Sequence, residues 1–106
     1  MTPQTAIVRR IIEADGPLTI REIARLTRFS RRDVESAVQA LRFDGDPIID
    51  EGVRGLRYTE DPDELRAYIA GRRDRARTIL AAAKPLRETE RRLRQRDMVL
   101  FSELAR

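Results

Sequence analysis

The side chains with chemistry to offer in this chain are arginines. Arg21, Arg25, Arg28, Arg31 and Arg32 fall within residues 21–32 against one acid, Glu22, a local charge of +4. A guanidinium keeps its charge and presents a rigid fork of donors that fits phosphate oxygens and the O6/N7 edge of guanine. Arg31 and Arg32 stand directly behind Ser30 in "FSRRDVES". A serine so placed starts a helix, and the first turn of a helix exposes unpaired N–H groups with partial positive charge. Two cations are unwelcome there unless an anion lies opposite them.

Other chemistries are thinly supplied. The chain has no histidine and no cysteine, which removes the commonest general base, the commonest zinc ligand, thiolate sites and disulfides. Asp44-x-Asp46 begins like a calcium loop, yet Ile48 occupies the next ligand position and the required glycine is missing. Gly52 and Gly55 lack the lysine and the strand–helix setting of a phosphate cradle. The expectation is a binding protein and not an enzyme, with no metal and no cofactor.

The elements that must position the arginines follow from caps and periodicity. Thr2-Pro3 opens a first helix, an N-cap followed by proline at its first position. Ile7, Ile11 and Ala14 give its expected apolar stripe, widened by Val8 and Ile12, and Asp15-Gly16-Pro17 ends it. Thr19 and Glu22 form a capping box for a short second helix with Ile20, Ile23, Ala24 and Phe29 on its apolar face. Ser30 caps a third helix, in which Val34, Ala37, Val38 and Leu41 recur at i, i+3, i+4 and i+7. At 100° per residue the opposite face falls on Arg32, Ser36 and Gln39, with Glu35 beside them and Arg31 and Arg42 on the flank. Ile48-Ile49 and Leu56-Arg57-Tyr58 read as two strands around the glycine-bearing loop 51–55. The order predicts a mainly α chain with a small β-hairpin, a winged helix-turn-helix over residues 1–60.

Residues 61–106 read differently. Asp61-Pro62 starts another helix, and from Leu65 a 4–3 spacing runs to Leu104. This predicts a coiled-coil-like, arginine-rich tail, with Leu86, Leu93, Leu100, Phe101 and Leu104 as its oligomerising residues. Proline disfavours helix just before it, so two helices with a bend or break near Pro85 are expected. Charge is sorted along the chain: residues 1–61 carry ten arginines against eleven acids, residues 62–106 twelve cations against seven. Asp44, Asp46, Asp50 and Glu51 make the hairpin region acidic, which opposes polyanion binding and would suit a protein partner. No segment has the length and apolarity of a membrane span, and the N-terminus lacks the layout of a signal peptide. A soluble, cytoplasmic, nucleoid-associated protein is expected.

Leu18-Thr19, Glu22-Ile23-Ala24, Thr27, Ser30, Val34, Ala37-Val38 and Leu41 resemble the signature of bacterial winged-helix repressors of the MarR and PadR types. The stretch "GDPIIDEGVRGLRYTEDPDELRAYI" is also similar to small winged-helix proteins of phages and prophages. The resemblance covers residues 5–59 and implies that Ser30–Phe43 is the recognition helix and the hairpin the wing. In a recognition helix, Arg32, Ser36 and Gln39 would meet base edges. Arg21, Arg25, Arg28 and Arg31 would meet phosphates, and Arg54 at the hairpin tip would reach a neighbouring groove or phosphate.

Three functions follow, in order of preference. The first is a dimeric, sequence-specific double-stranded-DNA-binding transcriptional regulator. The second is a protein-interaction module, a phage or host adaptor, using the acidic wing and the apolar C-terminus. The third is a nonspecific nucleic-acid binder acting through the basic tail.

Overall fold

Thr2 places its side chain where the first orphan donors of a helix emerge, and its Oγ1 accepts from the Thr5 N–H at 3.1 Å. The structure, a computed structural model, describes residues 1–105 and is mainly helical with one small antiparallel hairpin; Arg106, the last residue of the expected tail, lies outside the described residues. Its elements in chain order are α1 (Pro3–Asp15), α2 (Ile20–Thr27), α3 (Arg31–Phe43), β1 (Ile48–Asp50), β2 (Leu56–Tyr58) and α4 (Pro62–Leu104).

The buried face of α1 is Thr5, Val8 and Ile12, not the expected Ile7–Ile11–Ala14 stripe. Ile7 is 44% exposed and Ala14 is exposed, while Ile11 packs at the edge. Two apolar stripes about 100° apart compete on this helix. Packing on α3 and β2 selects the one that extends through Thr5, whose hydroxyl is satisfied by Thr2 at 2.8 Å.

Both remaining short helices start as their capping residues dictate. Thr19 accepts from Glu22 N–H at 3.1 Å, and Glu22 accepts from Thr19 N–H at 3.4 Å. Ser30 Oγ accepts from Asp33 N–H at 3.1 Å. α3 then buries Val34, Ala37, Val38 and Leu41 against Val8, Ile12, Ile23, Ile48 and Leu56, which together form the core.

The hairpin pairs Ile48 with Tyr58, Ile49 with Arg57 and Asp50 with Leu56. Its loop is a single 3-10 turn at Gly52–Arg54, pinned where Asp50 Oδ1 accepts from Gly52 N–H at 2.8 Å. A third extended segment joins it: Leu18 and Leu56 exchange both backbone bonds, at 3.0 and 2.7 Å. This bridge ties the α1–α2 connection to the hairpin. Gly55 permits it, with φ at +103° and its missing Cβ only 2.2 Å from the Leu18 carbonyl carbon.

α4 corrects the expectation of a break. It runs from Pro62 to Leu104 as one helix through Pro85. An interior proline removes one helical hydrogen bond and strains the preceding turn. Here the turns on either side are alanine, leucine and arginine, strong helix formers that propagate helix on both sides of the defect.

The chain divides into two compact units, Met1–Tyr68 and Ile69 onward, with the division falling inside α4. The first turns of α4 belong to the first unit because side chains fasten them there. Arg57 bonds Glu64 at 2.6 Å, and Arg42 bonds the Tyr68 hydroxyl at 2.8 Å. Among the described residues, no helix is long and apolar enough to cross a membrane.

Candidate nucleic-acid interface

Because α3 turns Val34, Ala37, Val38 and Leu41 inward, its other side is fixed by geometry alone. Arg32, Ser36 and Gln39 are all exposed there, with Glu35 and Ala40 alongside. Sequence reasoning missed Phe43, which ends the same face at 82% exposed. Its angular position, about 180° from the core side, is the signal that would have found it.

The approach to α3 is rigid. Thr27 Oγ1 donates to the Ile23 carbonyl at 2.7 Å and accepts from Phe29 N–H at 3.2 Å. Arg28 closes α2 in the left-handed region, at φ 61° and ψ 18°. Phe29 packs partly against the core, so the turn is held from both ends. The result sets Arg28, Arg31 and Arg32 within five residues of one rigid corner, with Arg21 and Arg25 on the preceding helix.

All five of these arginines are exposed, and among the described residues none has a side-chain hydrogen bond or ion pair. Elsewhere in the unit Arg9, Arg42 and Arg57 are paired, whereas Arg10, Arg54 and Arg66 have no side-chain partner among the described residues. Arg9 meets Glu13 at 3.0 Å and Asp46 at 3.3 Å. Arg57 meets Glu51 at 2.7 Å as well as Glu64, and these partners raise its pKa further above an already high value. Arg42, expected on the flank of the reading face, turns back instead. Its Nε donates to the Ile48 carbonyl at 3.1 Å, and its guanidinium lies 5.4 Å from the centre of the Tyr68 ring.

The acids of the hairpin region have structural partners. Asp46 accepts from the Tyr58 hydroxyl at 2.6 Å and pairs with Arg9. Burial and that bond push the Tyr58 pKa well above its usual value. Glu51 is taken by Arg57, and Asp50 by the Gly52 N–H. Glu64, held by Arg57 and Thr59, lies below the usual carboxylate range. Of the four acids between α3 and the loop, only Asp44 has no side-chain partner among the described residues.

Arg54 stands exposed at the hairpin tip, next to Val53 at 97% exposed. In α4 no described residue is buried, and Leu86, Leu93, Leu100, Phe101 and Leu104 are all exposed. Among the described residues, no group of three or more histidine, cysteine, aspartate or glutamate side chains is placed to hold a metal. No protein-family model matches the chain, and none of the curated proteins matches it.

Proposed function

We propose that this chain is a winged helix-turn-helix protein that binds double-stranded DNA. In this reading α2 and α3 are the helix-turn-helix, the hairpin is the wing, and the chain acts as a homodimeric transcriptional regulator. One observation carries the reading: Arg28, Arg31 and Arg32 at the turn into α3, and Arg21 and Arg25 along α2, are exposed and unpaired among the described residues, while Arg9, Arg42 and Arg57 are bonded within the unit. An arginine without an internal partner beside an exposed helix start is suited to phosphate, and α3 presents that start end-on to a major groove. Arg32, Gln39 and Ser36 then face base edges, with Arg21, Arg25, Arg28 and Arg31 on phosphates and Arg54 on the next groove.

The hairpin acids weigh less against this than their number implies. Asp46 and Glu51 are ion-paired with Arg9 and Arg57, which leaves Asp44 and Asp50 as the unpaired acidic charges of the region. The same pairing halves the number of free acids that a protein-docking wing would offer.

The test is duplex binding by fluorescence anisotropy across a salt series, using a site found by selection from genomic fragments. Wild type should bind a palindromic site. Arg31→Ala/Arg32→Ala should weaken binding at least tenfold and flatten the salt slope by about 1, for the one phosphate contact removed with Arg31. The double variant should keep its helical circular dichroism. Unchanged duplex affinity in that folded variant would sink the proposal.

A further inference from the structure

The 4–3 seam of α4 has a symmetry that its composition does not advertise. From Ile69 to Leu100 its positions are 69, 72, 76, 79, 83, 86, 90, 93, 97 and 100. Reversing the helix about the Lys84–Pro85 bond maps this set onto itself. Ala83 then falls opposite Leu86, Ala76 opposite Leu93, and Ile69 opposite Leu100. The two halves of α4 are therefore complementary seams. Because the helix continues through Pro85, they cannot meet within one chain. Ile69, Ile79, Leu86, Leu93 and Leu100 are each 45% or more exposed, so the seam is uncovered.

We propose that a second copy of this chain covers it, running antiparallel, with the twofold axis at Lys84–Pro85. Charge decides the orientation. In a parallel, in-register pair, like positions face each other, so Arg72, Glu90 and Asp97 would each oppose themselves inside the seam. In the antiparallel register Arg72 faces Asp97 of the other copy, and no layer opposes like charges. Glu90 falls opposite Ile79 and keeps its partner Arg94, at 2.9 Å in the exposed i, i+4 pair.

The flanks argue the other way: Arg73 approaches Arg94 of the second copy, and Arg75 approaches Arg96. Exposed like-charge neighbours of this kind cost only a few tenths of a kcal/mol and are screened by salt. Charges opposed within a desolvated seam cost more, so the antiparallel arrangement prevails. This inference deepens the homodimer of the proposed function but does not depend on its DNA contacts, and its test contains no DNA.

The chain has no cysteine, so introduced thiols are its only ones. Ala76→Cys, Leu93→Cys and the doubly substituted chain are purified as full-length proteins, and the two single variants are oxidised separately and as an equal mixture. Non-reducing electrophoresis reads the result. The mixture should give a covalent dimer, and neither variant alone should give more than a trace. Crosslinking of either variant by itself would establish the parallel pair and overturn the proposal. A disulfide closing within one doubly substituted chain, with no product from the mixture, would show a fold-back and overturn it too. So would no product in any arm.

Sedimentation supplies the second readout, on side chains that leave the seam's apolar layers intact. Asp97→Arg should weaken dimerisation about tenfold, and Arg72→Asp combined with Asp97→Arg should restore it. A combined variant no tighter than Asp97→Arg alone would also overturn the register.

Discussion

Arg28 holds a backbone conformation that few side chains accept, φ 61°, and its side chain is exposed without an internal partner among the described residues. The left-handed region costs a non-glycine residue about 1–2 kcal/mol, part of which glycine recovers at the expense of a freer unfolded chain. The conformation closes α2 and so serves the turn, while the guanidinium itself has no partner among the described residues and is open to an external contact. Arg28→Gly should therefore raise stability by up to about 1 kcal/mol, read from urea midpoints. The same variant should bind duplex two- to tenfold more weakly, about one phosphate contact. A variant less stable than wild type would mean that the Arg28 side chain supports the turn. Residue-scale features were legible in the sequence wherever they are local. The caps at Thr2, Thr19 and Ser30 each reach three residues along the chain, so composition and spacing reveal them. The fate of individual charges was not legible. Arg9 finds Asp46, and Arg42 finds Tyr68 26 residues away, through contacts that only the folded unit creates.

At the scale of elements, the Leu18–Leu56 bridge is the feature that locks the helical corner to the hairpin. Leu18 by itself carries no strand signal, because a single bridging residue has no alternation to display. Gly55 was visible only as a turn glycine, whereas the structure uses it for close approach. Gly55→Ala would drive a Cβ into the Leu18 backbone and break both bonds of the bridge. The expected loss is about 2–4 kcal/mol, from backbone strain and two hydrogen bonds. Gly45→Ala is the control: its φ is also positive, at +94°, but nothing lies within 4 Å of the added carbon. It should cost about 1 kcal/mol. Equal losses in the two variants would assign the whole effect to φ and none to the bridge. Pro85 shows the limit of a local rule. The preference against helix before proline is real, yet Leu80, Ala81, Ala82 and Ala83 before it and leucine, arginine and glutamate after it continued the helix through it.

For the whole molecule, the two proposed associations respond to salt differently. Duplex binding through Arg21, Arg25, Arg28 and Arg31 releases counterions, and a dimer on two half-sites engages about 8 phosphates. Affinity should fall by a factor of about 10³ or more between 50 and 200 mM salt. The tail dimer rests on apolar layers flanked by the Arg73–Arg94 and Arg75–Arg96 neighbours, whose repulsion salt screens. Its dissociation constant should stay level or tighten over the same range. Sedimentation without DNA and anisotropy with DNA, run on one protein stock, measure the two responses separately. If the dimer loosened in step with the duplex complex, the salt effect would belong to assembly, and the arginine corner would lose its support as the contact surface. A dimer that holds while the duplex is released would place the salt-sensitive charges outside the seam, and a flatter salt slope in Arg31→Ala/Arg32→Ala would then assign them to the corner leading into α3. The five arginines of residues 21–32 already marked that division in the sequence. Which of the remaining charges were free to act was decided by pairing in the folded unit, and no spacing rule could supply it.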